Sequence, residues 1–219
     1  MGGTYRYFDS LVDQSGVTYD VWTDGDDILR LIKPETKLIW IETPSNPTMK
    51  VIDIHWLCET VKAVRPDILV AVDNTFLTPI FQNPILLGAD IVVHSATKYL
   101  GGHNDILAGV VVAGRDDLAQ KIEDTLVTRG QVLDSFSAWL LLRSLKTLHL
   151  RMARHNENGH FLAEKLANVS GVERVLYAGL GGMVSFYLSK EYDVDRFLKR
   201  LNVCSFAESL GGPETLITI

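Results

Sequence analysis

Cysteine is nearly absent. The 219 residues hold only 2, Cys58 and Cys204. They are too few and too far apart for a disulfide framework or a paired zinc-ligand spacing. Both stand among apolar neighbours and read as buried thiols, which fits a reducing cytoplasm, and no metal site is expected. Positive charge is also in deficit: 21 Lys and Arg against 27 Asp and Glu give a net charge of −6. That balance leaves no basic face to track a phosphate backbone and argues against nucleic acid as a partner. Long apolar runs are missing, since nothing approaches the roughly 20 continuous apolar residues of a membrane-spanning helix. The opening Met1-Gly2-Gly3-Thr4-Tyr5-Arg6 lacks the apolar core of a secretion signal, and Arg6 stands where myristoylation needs Ser or Thr. Proline is sparse at 7, and the 17 glycines show no period, which excludes collagen-like and low-complexity chains.

What is present is a globular composition, 47% hydrophobic and 22% charged, with enough length for one large domain or one domain plus part of another. Short β-rich runs alternate with helical runs through the first half. Val17 to Trp22 reads as a strand, Asp26 to Ile32 as a short helix, and Lys37 to Glu42 as a second strand. Pro44 and Pro47 make Thr43 to Pro47 an irregular loop. Asp53 suits the N-cap of a helix through Val64. Leu69 to Val72, Ile91 to Val93 and Gly109 to Ala113 are apolar strands, the first two ending at Asp73 and His94. Strands this apolar predict burial on both faces, as in a parallel sheet between helix layers. The pattern from Asp116 to about Val169 is helical, with Leu140, Leu141, Leu145, Leu148 and Met152 at helical spacing. Strands at Val172 to Leu176 and Met183 to Leu188, a helix near Val194 to Leu201 and a polar stretch from Ala207 to Thr215 suggest the start of a smaller α+β domain. Gly179-Leu180-Gly181-Gly182 reads as a turn, because Val184 stands where a dinucleotide fingerprint needs glycine.

The chemistry concentrates beyond strand ends, where open α/β sheets bind ligands. In Ala89 to Asp105 a buried strand gives way to Ser95, Thr97, Lys98, Gly101 and Gly102. A lysine amid hydroxyls suits a Schiff base to a phosphorylated aldehyde cofactor, with the hydroxyls on the phosphate. Asp73 ends another buried strand, where an acid is costly unless paired. The protonated ring nitrogen of pyridoxal phosphate would supply that partner and keep the ring an electron sink. Pro44-Ser45-Asn46-Pro47 stiffens a third strand end and presents Asn46 either to the cofactor's phenolic oxygen or to a substrate carboxylate.

Six motifs, in order, resemble the Cys/Met-metabolism family of pyridoxal-phosphate enzymes, which includes cystathionine γ-synthases, cystathionine β- and γ-lyases and methionine γ-lyases. They are Gly2-Gly3-Thr4-Tyr5-Arg6, Glu42-Thr43-Pro44-Ser45-Asn46-Pro47-Thr48, Val72-Asp73-Asn74-Thr75, Ser95-Ala96-Thr97-Lys98-Tyr99 with Gly102-His103, Leu145-Lys146-Thr147-Leu148, and Glu208-Ser209-Leu210-Gly211-Gly212. The resemblance implies an α/β fold: the large domain of a fold-type I pyridoxal-phosphate enzyme over 1–135, then a linking helix and part of a small α+β domain over 136–219. It implies Lys98 as the Schiff-base lysine and general base, Asp73 as partner of the pyridine nitrogen, Ser95 and Thr97 as phosphate ligands, and Thr75 beneath the ring. Gly2 belongs to the cofactor side, Asn46 to cofactor and substrate, and Ser209 to the substrate side. His94 reads as a packed residue and His103 receives no role.

The match also breaks. Met1 stands where the family has a tyrosine stacked on the cofactor. The family's further N-terminal part, its longer connection near Gly181 and its C-terminal carboxylate-binding arginine have no counterpart. The chain is therefore expected to be the middle of a longer enzyme. The expected activity is β/γ-elimination from cystathionine, of the γ-lyase kind. The alternatives are γ-replacement on an O-acyl homoserine, as in the γ-synthases, and a truncated, non-catalytic relative that binds a partner. The expected partners are a small amino-acid substrate and further copies of the chain, as a tetramer built from dimers.

Overall fold

The runs LIWIE, LVAVD and IVVHS become adjacent strands in the computed structural model, which describes the backbone of residues 2–23 and 27–219. Helix α1 (Gly2–Ser15) and the single turn α2 (Ile28–Leu31) precede them. Strands β1 (Leu38–Glu42), β2 (Leu69–Asp73) and β3 (Ile91–Ser95) run parallel, with Glu42 opposite Asp73 and Asp73 opposite Val93. β4 (Gly109–Ala113) closes the order β1-β2-β3-β4 antiparallel to β3. The sheet is mostly parallel, as expected. The prediction of burial on both faces holds for β2, where Val70 and Val72 are fully buried, but not for β4, where Val111 and Val112 are 44% and 43% exposed. β4 pairs on one side only among the described residues, so its outer side has no covering strand.

Helix α3 (Ile54–Val64) connects β1 to β2 and starts where Asp53 predicts: the Asp53 carboxylate accepts the Trp56 N–H at 3.0 Å. Its Leu57 and Val61 are wholly buried against Ile39, Ile41, Val70 and Val72. Burial of side chains of that size stabilises the fold by about 1.5–3 kcal/mol each. The polar end of the same layer is tied by Asp90, whose carboxylate accepts Lys62 Nζ at 2.6 Å and the Val70 N–H at 2.8 Å.

Two expectations fail near the N-terminus. Val17 to Trp22 forms no strand. Its side chains go to different partners instead of a ladder: the Tyr19 hydroxyl donates to Asp9 of α1 at 2.6 Å and its ring meets Tyr5 and Phe8 at 6.0 Å, while Trp22 packs on the sheet core. The helix predicted from Asp26 begins at Ile28, capped by Asp27, and Asp26 lies outside the described residues. Gly2 opens α1, and the surroundings expected to join it to a cofactor lie outside the described residues.

After β2 come α4 (Thr78–Phe81) and a 3₁₀ turn at Pro84–Leu87. The helical second half divides into α5 (Asp116–Arg129), α6 (Ser135–Leu145) and α7 (Leu148–Leu166). Of the predicted apolar stripe, Leu141, Leu148 and Met152 are buried with Tyr99, Leu100 and Ile106, whereas Leu145 is 37% exposed. The chain ends in β5 (Val172–Leu176) antiparallel to β6 (Ser185–Leu188), α8 (Val194–Leu198), and the short parallel pair β7 (Ser205–Phe206) and β8 (Leu216–Ile217). Gly179 to Gly182 is a bend, as its glycines predict. Among the described residues, no helix is long and apolar enough to cross a membrane.

Candidate active site

Parallel pairing aligns the carboxyl ends of β1, β2 and β3, which brings Glu42, Asp73 and Ser95 to one edge of the sheet. Asp73 is half buried and held by its own turn. Its Oδ1 accepts the Thr75 N–H at 3.0 Å and the Thr75 hydroxyl at 2.6 Å. Thr75 Oγ1 in turn accepts the Ser95 N–H at 2.8 Å, so one hydroxyl fixes the acid and joins the ends of β2 and β3. Oδ2 of Asp73 and the Ser95 hydroxyl form no hydrogen bond among the described residues. Glu42, facing Asp73 in register, has its carboxyl pushed up, first by burial and then by the neighbouring Asp73 charge.

Lys98 follows in the turn after β3, whose Lys98 N–H donates to Ser95 O at 3.0 Å. The amine is half buried and donates to Ser209 Oγ at 2.9 Å. Burial pulls its pKa below the ordinary lysine value, and the charge of Glu208 pulls the other way. Thr97 is committed to the backbone: its hydroxyl donates to Ala108 O at 3.3 Å and accepts the Ala108 N–H at 3.0 Å. The loop bearing Ser209 lies directly on the lysine's backbone. A Cβ at Gly211 would stand 2.6 Å from Tyr99 N and 2.9 Å from the Lys98 carbonyl carbon, so only glycine permits this approach. An open cleft of about 760 Å³ lies beside it, bordered by Thr97, Asn104, Asp134, Ser137, Glu208 and Ser209.

The structure therefore gathers Asp73, Thr75 and Ser95 in one hydrogen-bonded array and Lys98 with Ser209 in another, joined through the Ser95–Lys98 turn. Asn46 is exposed in a loop whose Thr43–Pro44 and Asn46–Pro47 bonds are cis, and its backbone hydrogen-bonds to the carboxyl of Glu42, which faces Asp73 in register. Two neighbours escaped the sequence reading. Glu42 ends its strand just as Asp73 does, a signal that was available, and Glu208 adjoins Ser209. His94 is packed as expected, 5% exposed with Nδ1 unpartnered, and burial lowers its pKa while Asp73 raises it. Among the described residues, no group of His, Cys, Asp or Glu is arranged to hold a metal.

This donor set fits the expected cofactor. Among the described residues, a half-buried carboxylate with one oxygen unbonded suits a basic ring nitrogen, an amine of lowered pKa suits an aldehyde, and a Ser95 hydroxyl without a hydrogen bond suits a phosphate oxygen.

A family model described as "Cys/Met metabolism PLP-dependent enzyme" matches residues 1–219. The chain is 48% identical over 219 residues to a cystathionine gamma-synthase/O-acetylhomoserine (thiol)-lyase of Bacillus subtilis (strain 168), covering 99% of this chain and 58% of that protein. It is 44% identical over 236 residues to a cystathionine beta-lyase of Lactococcus lactis subsp. cremoris (strain MG1363), covering 100% of this chain and 62% of that protein. Among solved structures, a cystathionine gamma-lyase from Lactobacillus plantarum complexed with L-serine superposes with a TM-score of 0.94 at 36% identity, covering 100% of this chain and 61% of that one. The chain thus spans between 58% and 62% of the length of these relatives.

Proposed function

The chain belongs to the Cys/Met metabolism PLP-dependent enzyme family, and from that premise we propose that it carries the lysine-bearing part of an enzyme that cleaves the carbon–sulfur bond of cystathionine by β/γ-elimination, in the manner of a cystathionine γ-lyase. The observation that carries this reading is the pairing of a half-buried amine, Lys98, with a partly open carboxylate, Asp73, at the ends of neighbouring strands.

Pyridoxal 5'-phosphate, when bound, supplies an aldehyde for the amine and a ring that draws electrons from the substrate's reacting carbons. The chain's residues divide the remaining work. Asp73, oriented by Thr75, would hold the ring nitrogen, and Thr75 would support the ring. Ser95 and Thr97 would hold the phosphate through their hydroxyls. Gly2 belongs to the same cofactor side. Lys98 Nζ is the catalytic base: lowering of its pKa by burial increases the neutral share that can take a proton from the substrate's α-carbon and return it. Ser209 holds that amine and meets the amino-acid substrate with Asn46. Residues 1–135 carry the cofactor groups, and 136–219 bring Ser209 over them. Phe136, Trp139 and Leu142, recurring every third residue on α6 and 66%, 57% and 64% exposed, support assembly with further copies of the chain, as a tetramer of paired dimers.

A second reading, γ-replacement on an O-acyl homoserine by cysteine, is favoured by the 48% identity to the Bacillus subtilis γ-synthase. Borohydride treatment of the complete gene product loaded with cofactor, followed by peptide mapping, is expected to tether the coenzyme at Lys98, and Lys98→Ala to abolish the visible absorption band. A band surviving that substitution overturns the assignment, and absence of any band in well-folded protein favours a binding role. Release of 2-oxobutanoate from cystathionine alone supports the lyase. Turnover only of O-acyl homoserine plus cysteine supports the synthase.

A further inference from the structure

The turn that presents Lys98 is gripped by a residue to which nothing above gives a role. Arg151, in α7, directs its guanidinium at backbone carbonyls. Nη1 donates to Tyr99 O at 2.5 Å, while Nη2 donates to Ser144 O at 2.9 Å and Leu100 O at 3.4 Å. Nε donates to Thr147 Oγ1 at 3.1 Å. Four of the five guanidinium hydrogens are committed to the chain itself. Burial is the sole influence on its pKa, which it lowers, and no carboxylate pairs with it among the described residues. A half-buried cation without a counter-ion is costly, and carbonyl dipoles are what hold this one.

Two of the three carbonyls it holds, those of Tyr99 and Leu100, belong to the residues that follow Lys98. The same turn is closed by the Gly102 N–H, which donates to Lys98 O at 2.7 Å. Gly102 has φ +68°, and a Cβ there would collide with Arg151 Nη1 and stand 2.6 Å from Cζ. The bare glycine is thus what lets the guanidinium reach the turn. The loop of Gly211 and Ser209 packs on the same two residues, Lys98 and Tyr99. The lysine's backbone is fixed by Arg151 and by the loop whose Ser209 receives its amine.

We propose that Arg151 is a positioning residue for Lys98, setting how deeply the amine sits and whether it meets Ser209. The proposal rests on the assignment of Lys98 above. A lysine at 151 cannot substitute, because a single ammonium does not span three carbonyls as a planar fork does. Of the charged groups around the turn, Glu208 acts on the amine. His155, on the same helix, meets the Tyr99 ring edge-on at 4.9 Å and is held toward its neutral form by burial and then by Arg151.

The test uses the complete gene product without cofactor. Acylation of Lys98 by an amine-reactive reagent is followed against pH by peptide mass mapping, each curve normalised to its own alkaline plateau. In the unaltered protein, the midpoint should lie below that of exposed lysines. Arg151→Lys and Gly102→Ala, the latter keeping the guanidinium but displacing it, should both raise the midpoint by about half a pH unit or more, a roughly three-fold loss of neutral amine on the rising limb. Val61→Ala, which opens a cavity in the other core cluster, should lower stability and leave the midpoint unmoved. An unmoved midpoint in whichever Arg151 or Gly102 variant folds overturns the proposal. So does loss of fold in both, which would make Arg151 a folding residue. A shifted midpoint together with failure of borohydride trapping at Lys98 would overturn the cofactor assignment and leave the positioning intact.

Discussion

Thr75 carries more of the site than any other single hydroxyl. It donates to Asp73 Oδ1 at 2.6 Å and accepts the Ser95 N–H at 2.8 Å, so one atom orients the acid and ties two strand ends. Thr75→Val keeps the shape and removes both bonds, leaving a part-buried N–H unpaired at a cost of about 1–3 kcal/mol. Urea unfolding of the cofactor-free protein is expected to show that loss, and cofactor affinity to fall with it. Thr75→Ser should recover both. Equal stability of the Val and Ser variants would mean that the hydroxyl bridge holds nothing together. The sequence exposes this part of the site because Asp73, Thr75, Ser95 and Lys98 sit at or just past strand ends, a position set by local pattern. It conceals the rest for a physical reason. Ser209 is 111 positions from Lys98, and Arg151 is 52 from Tyr99. Their contacts depend on how α7 and the C-terminal loop pack, which no local periodicity encodes.

Elements with a strong local signal form where the pattern puts them. α3 is the clearest case, with its cap and its end at Val64 both readable in advance, although Trp56 and Val64 stay exposed while Leu57 and Val61 are buried. Asp53→Ala should cost about 0.5–2 kcal/mol by orphaning the Trp56 N–H, measured as a lower urea midpoint. Because α3 sits against the core of Ile39, Ile41, Val70 and Val72 and not against the core of Tyr99 and Leu100 beside the Lys98 turn, the acylation midpoint of Lys98 should not move. A shift there would show that the two core clusters are coupled more tightly than their separate packing implies. The segments that departed from their patterns are those whose neighbours decide. Val17 to Trp22 has strand composition, yet its aromatic residue Tyr19 packs on α1 and takes Asp9 as partner. β4 has the composition of a central strand but lies last in its sheet among the described residues, and Val111 and Val112, on opposite faces, remain exposed. Composition reports what a segment tolerates, and the layers packed on the sheet decide which face is covered.

At the scale of the whole molecule, two imidazoles make the fold sensitive to acid. His94 and His155 both have pKa values lowered from 6.5, chiefly by burial. Between the lowered folded values and 6.5, the unfolded chain binds more protons than the folded one, so stability rises with pH through that window and is lost as pH falls through it. The carboxylates whose pKa values are lowered in the fold, Asp67, Asp117 and Asp134, act in the same direction but only below their ordinary value of 3.8, whereas Glu42, raised above 4.5 by burial, acts alone in the opposite direction above that value and is outnumbered by the two imidazoles. Urea midpoints measured between about pH 5 and about pH 7 should therefore fall toward acid, and His155→Gln should flatten the slope by removing one of the two protons taken up on unfolding. His94→Gln should flatten it too, while also disturbing the neighbourhood of Asp73, whose charge His94 feels. A slope unchanged in both variants would place the acid sensitivity elsewhere. A slope flattened only by His94→Gln would tie the acid sensitivity to the strand end that carries Asp73.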